Sequence, residues 1–177
     1  MCENSTKRSS RVEALEKAGI PVPVRDYSLQ KLTQLKEAAE GMIDDFMRKV
    51  GIKDTQAQTD EKGWRFFQCG SAQGRAGILE IEKNLCLRVE SIIMPLPSDK
   101  ELILPLMRDL LDINAVSIGS TKLAIMDENV ICCAMLAVTE LDLNRFYAAI
   151  HATMKFADNL DDQLMKKYAG TSMKRKA

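Results

Sequence analysis

The chain has 177 residues and a mass of 19.8 kDa, the length of one domain rather than two. Its 46% hydrophobic and 28% charged residues are those of a folded globular protein, and Lys plus Arg balance Asp plus Glu at 25 each, so no general cationic field favours nucleic acid or an anionic membrane. The single histidine, His151, excludes zinc chemistry built on several His ligands and leaves histidine-based catalysis to one residue.

The N-terminus, residues 1–10, is polar with Lys7 and Arg8 and leads into no apolar h-region. No run of 18 apolar residues follows anywhere, so neither a secretory signal nor a transmembrane helix is expected. The five cysteines, Cys2, Cys69, Cys86, Cys132 and Cys133, are odd in number and lack CxxC spacing, which points away from a disulfide framework and towards the reducing cytoplasm. Residues 10–18 suit two helical turns, and Gly19, Pro21 and Pro23 then impose an extended arm through Val24. The expected division is a partly disordered arm over residues 1–27, one α+β domain over 28–169, and a disordered basic tail over 170–177 carrying Lys174, Arg175 and Lys176.

From Ser28, a suitable N-cap, Leu29, Leu32, Leu35, Ala39, Met42, Ile43, Phe46 and Val50 recur at three and four, one apolar face of a first helix that Gly51 ends. Polar residues 51–62 make a loop. The period then becomes two. Residues 64–69, 77–82 and 85–94 read as strands, the last two joined by a tight turn around Lys83 and Asn84. Pro95 and Pro97 close this segment. Ser98 with Glu101 forms a capping box for a second helix running to about Ile113, in which Pro105 marks either a kink or the true first turn. A fourth strand is expected over 116–118 and 122–126 with an irregularity at Gly119. Asp127, Glu128 and Asn129 turn into a fifth over 130–138, apolar on both faces. Thr139 with Asp142 begins a long last helix with the stripe Leu143, Phe146, Tyr147, Ile150, Met154, Ala157, Leu160 or Asp161, and Leu164. The short turns between neighbouring strands imply an antiparallel sheet.

Residues 106–168, with an amphipathic helix ending in Leu110, Leu111 and Asn114, a strand, an acidic turn, an apolar strand and the helix start Asp142–Leu143, resemble the type III secretion chaperone-like family, and most of all its YbjN branch. The resemblance implies the order α-β-β-β-α-β-β-α on a five-stranded antiparallel sheet, with helices one and three on one face and helix two near a homodimer interface. It also implies a non-enzymatic domain that binds a polypeptide partner.

Other chemistry reads weakly. The GSAQGRAG segment, with Gly70, Gly74, Gly77 and Arg75, could cradle a phosphate, but a strand follows it and no P-loop Lys is present, so a flexible hairpin loop is expected. His151 shares a helix side with Tyr147 and Asp158 but no nucleophile accompanies it. Asp158, Asp161 and Asp162 read as a solvated helical face, and no cofactor motif is found. The ten methionines suit core filling and adaptable binding surfaces. The sharper expectation is that Ile92, Met94, Ile131, Cys133 and Met135 lie on a sheet face covered by another subunit or a bound segment. The function expected is polypeptide binding as a homodimer, without nucleic acid or membrane. The alternative is a small-ligand protein or enzyme using a pocket between sheet and helices.

Overall fold

The fold is that of a computed structural model, which describes residues 29–69, 72–81, 84–117 and 119–168. The expected arm over 1–27 and the tail over 170–177 lie outside these residues, as does the proposed N-cap Ser28.

Helix α1 spans Leu29–Lys49. Gly51 ends it in a left-handed conformation (φ 93°), where its N–H reaches the Arg48 carbonyl and the Ile52 N–H reaches back to Met47, the paired bonds of a Schellman stop. Strands β1 (Arg65–Cys69), β2 (Ala72–Ile81) and β3 (Asn84–Pro95) follow, then α2 (Ile103–Val116), β4 (Lys122–Met126), β5 (Asn129–Ala137) and α3 (Leu143–Tyr168). All neighbouring strands are antiparallel, in the order β1-β2-β3-β5-β4. This is the expected α+β fold with its five-stranded antiparallel sheet.

Cross-strand register places Phe67, Gly74, Ser91, Cys132 and Leu123 in one row. A Cβ on Gly74 would lie 2.5 Å from Met154 Sδ, so this row faces α3. Arg65, two residues from Phe67 and therefore on the same side, donates from Nε to Asp44 Oδ1 of α1 at 2.8 Å. Helices α1 and α3 thus cover one sheet face. Between them and the sheet Ile43, Phe46, Met47, Leu87, Val89, Val130, Phe146 and Ile150 close the core. Phe46 meets Phe67, Phe146 and Tyr147 edge-on, at centroid distances of 5.2, 6.0 and 6.0 Å. Helix α2 flanks the outer strand. Asn114 brackets Leu123 with both amide atoms, donating to its carbonyl and accepting from its N–H at 3.0 and 2.8 Å, and so satisfies part of the β4 edge. At the other side Asp109 of α2 accepts from Lys167 and Tyr168 at the end of α3.

Four expectations are corrected. The glycine-rich segment is not a loop beyond residue 71: Ala72–Ala76 pair with β1 and extend β2, because Gly74 admits Met154 and Phe67 where a side chain would clash. Residues 116–117 do not begin a strand, since α2 runs to Val116 and β4 starts at Lys122. Ser98 forms no capping box; Asp99 accepts from the Glu101 N–H at 3.0 Å and opens a short 3-10 turn, which places Pro105 in the first turn of α2, where its missing N–H costs nothing. Thr139 lies in another 3-10 turn, and the cap of α3 is Asp142, which accepts from the Arg145 N–H at 2.8 Å. The acidic turn is as expected in place, with Asp127 and Glu128 both at positive φ (49° and 62°) to match the twist of the β4–β5 hairpin.

Candidate functional site

The second sheet face carries no described helix. Register sets three neighbouring rows on it: Ile92, Ile131 and Ala124; then Phe66, Arg75, Glu90, Cys133 and Lys122; then Gly77, Arg88 and Met135. Ile92 is 56% exposed, Met135 44% and Phe66 40%. These three exposed apolar groups stand on successive rows around the middle of the face.

The middle of the face is ionic. The Glu90 carboxylate is 1% exposed and lies between two guanidinium groups. Arg75 Nε donates to Glu90 Oε1 at 2.5 Å, and Arg88 Nε stands 2.6 Å from Oε2. The second contact is an ion pair without an aligned N–H, so both of its atoms lack a true hydrogen bond although they are buried. Arg75 also lies over the Trp64 ring at 4.6 Å, and that ring packs under Gly77, the reason for a glycine at this point of β2. A buried carboxylate held by two arginines ties β2 to β3 across this face, and removing Glu90 would leave two neighbouring guanidinium groups without a counter-charge.

The five residues singled out from sequence divide here. Ile92, Ile131, Cys133 and Met135 share the second face: Ile92 and Met135 are exposed, Cys133 is half-buried, and Ile131 is closed off but belongs to neither core cluster. Met94 does not belong with them. The β3–β5 register shifts between Ile92 and Met94, a bulge that turns Met94 against Val130 on the helix side, where it is 2% exposed within the core.

Past the Gly74–Ser91 pair β2 and β3 separate. Ala72 and Gln73 pair with β1, and Ile92, Met94 and Pro95 pair with β5. The Ser91 hydroxyl closes the last rung by donating to the Gln73 carbonyl at 2.7 Å. A cavity of about 480 Å³ opens there, lined by Phe66, Arg75, Glu90, Ile92 and Met165 among others. A second, broader depression of about 650 Å³ lies between α1 and α3, lined by Phe46, Tyr147, Ile150, His151, Met154 and Asp158 among others. His151 and Asp158, about two helical turns apart, line the same depression, both at exposed positions. Asp158, Asp161 and Asp162 form no cluster able to hold a metal among the described residues.

Sequence reading missed a second apolar surface. Helix α2 buries Leu106 and Leu110 and presents Leu104, Met107 and Leu111 outward, Leu104 at 70% and Leu111 at 66% exposure. Spacings of three and four put these three on one stripe. The signal was available: residues 103–113 carry apolar side chains on every side, more than one core face needs.

The thiols are structural in setting. Burial, with the neighbouring Cys133 adding to it, pushes Cys132 up to about 12, and its Sγ–H donates to the Thr153 carbonyl at 3.4 Å. Burial raises Cys86 as well. Both shifts oppose the thiolate that redox chemistry requires. No described helix is long and apolar enough to cross a membrane.

No protein-family model matches the sequence, and no curated protein matches it. Solved structures do. A chain in the crystal structure of the ExsC–ExsE complex aligns with 14% identity and a TM-score of 0.53, over 73% of this chain and 96% of that one. The Yersinia pestis type III secretion chaperone SycH, solved with a stable fragment of YscM2, aligns with 15% identity and a TM-score of 0.48, over 68% of this chain and 98% of that one. YbjN from E. coli aligns with 16% identity and a TM-score of 0.41, over 71% and 89%. The likeness is one of fold, and the fold is the type III secretion chaperone-like one.

Proposed function

We propose that this chain is a non-enzymatic, chaperone-like or regulatory domain that binds a polypeptide partner and works as a homodimer. The observation that carries the reading is the pair of apolar surfaces left outside a closed core: the α2 stripe of Leu104, Met107 and Leu111, and the sheet face with Ile92, Met135 and Phe66. Two such surfaces on one small domain serve two contacts. The stripe suits self-association, because a helix face is easily self-complementary about a two-fold axis. The sheet face, flat and ionic at its centre, suits an extended chain. The neighbour in the ExsC–ExsE structure, itself part of a complex, supports this reading.

The test is affinity capture with the wild-type chain and with an Ile92→Asp, Met135→Asp variant, both residues being exposed and outside the core. A defined polypeptide retained by the first and lost from the second is the expected result; identical recoveries from both would remove the sheet face from the reading.

A second reading, small-ligand binding, rests on the α1–α3 depression, which both His151 and Asp158 line. The histidine and the carboxylate both stand at exposed positions, so water competes for every contact they offer a ligand. A saturable thermal shift with a small molecule, lost in His151→Ala, would favour it.

A further inference from the structure

We infer that the open sheet face selects an extended acidic–aliphatic polypeptide segment, one in which two aliphatic side chains four residues apart flank a carboxylate. The inference rests on the polypeptide-binding reading above and adds the chemistry of the partner. Its basis is the register. Ile92 and Met135 lie two rows apart across the row of Arg75 and Glu90, and successive rows on one sheet face are separated by about 6.7 Å, two residues of extended chain. An extended segment laid along the strands therefore presents every second side chain to successive rows: aliphatic at Ile92, a middle residue at the ionic row, aliphatic at Met135. A helix, rising about 1.5 Å per residue, would need side chains about nine residues apart to reach both outer rows, so the four-residue spacing belongs to an extended chain.

The sign of the middle residue follows from the charges there. In the three rows the cations are Arg75, Arg88 and Lys122, and Glu90 is the one carboxylate. Glu90 is almost wholly buried beneath the two guanidinium groups, whereas Arg75 keeps 30% of its side chain exposed, so the charge that an arriving segment meets is guanidinium. Lys122 turns its ammonium group to the Asn114 and Ser117 carbonyls at the C-terminus of α2, where the helix dipole already meets it, so the charge offered at the centre of the face is that of the arginines. A partner carboxylate pairs with outward N–H groups of the arginines. A partner lysine would meet like charge and lose its hydration in the process.

The experiment uses the full chain and three labelled short peptides that differ at one position: valine, a test residue and valine at alternate central sites, serine and threonine elsewhere, with Asp, Asn or Lys as the test residue. Fluorescence polarisation at low salt is expected to show the Asp peptide binding about five- to tenfold more tightly than the Asn peptide, with no saturable binding of the Lys peptide. The advantage of Asp should shrink as salt is added. Ile92→Asp should abolish binding of the Asp peptide, whereas Ala152→Glu, at an exposed position of α3, should leave it intact; melting curves of both variants establish that they fold. Equal affinity for Asp and Asn, preference for Lys, loss of binding in Ala152→Glu, equal competition by oligothymidylate, or no binding of any peptide would each overturn the inference. Capture of a polypeptide that depends on the sheet face, with no discrimination among the peptides, would leave the broader reading standing and remove this one.

Discussion

Gly74 shows at a single position how the fold uses the absence of a side chain. A Cβ there would stand 2.5 Å from Met154 Sδ and 2.8 Å from Phe67 Cε2, and although the thioether can move, the ring is held edge-on against Phe46. Gly74→Ala should therefore destabilise the protein by about 1–3 kcal/mol, the usual cost of overpacking. Gly41, in α1 with nothing within 4 Å, supplies the contrast: Gly41→Ala should stabilise by about 0.5–1 kcal/mol through helix propensity alone. Urea unfolding of the two variants measures both. The same residue explains why half of β2 was unreadable. Three glycines in eight residues look like a loop, and only the position of Met154, eighty residues later, shows why a strand needs them. The ionic triad was half legible, since Arg88 and Glu90 alternate on β3, but Arg75 lay in the misread segment. Met94 was misplaced for a different reason: a bulge changes the face of a residue without changing the composition around it.

At the scale of elements, α2 is tied to α3 by a cluster at its open side. Asp109 accepts from Lys167 Nζ at 2.5 Å and from the Tyr168 hydroxyl at 2.6 Å, and these bonds, Lys167 first, hold its carboxyl below the usual carboxylate range. A carboxyl whose folded value is depressed contributes stability that is present above its unfolded value and is lost as pH falls through the folded one. The melting temperature of wild type should therefore exceed that of Asp109→Asn at neutral pH, with a gap that narrows in acid below the ordinary aspartate range. A gap independent of pH would mean that packing and not charge makes the tie. On the outward side of α2 lies the exposed stripe proposed above for self-association. Leu104→Glu with Leu111→Glu places like charges on any two-fold contact between stripes and should convert a dimer to a monomer by light scattering, without loss of helix content because neither residue is in the core. The surplus of apolar residues on this helix was legible in the sequence, but only the burial of Leu106 and Leu110 shows which side the core takes and which is left over.

At the scale of the whole molecule the element order and the antiparallel pairing were legible from period and turn chemistry, because each of these is dictated locally, whereas the placing of helices one and three on one sheet face was only what the family resemblance implied. Strand alternation put Ile92, Ile131, Cys133 and Met135 on one face, but the sides taken by Met94 and by the α2 stripe were not legible, because a bulge decides the one and the meeting of helices and sheet the other. The arrangement leaves a domain with one sheet face closed by its own helices and the other carrying a buried carboxylate between two arginines. This second face is the proposed docking place of a polypeptide. Hydroxyl-radical footprinting of the chain, alone and in complex with its captured polypeptide, reads that directly. Protection of Ile92, Met135 and Phe66, with Tyr147 and His151 unchanged, is the predicted result; protection of Tyr147 and His151 with Ile92 and Met135 still reactive would contradict it.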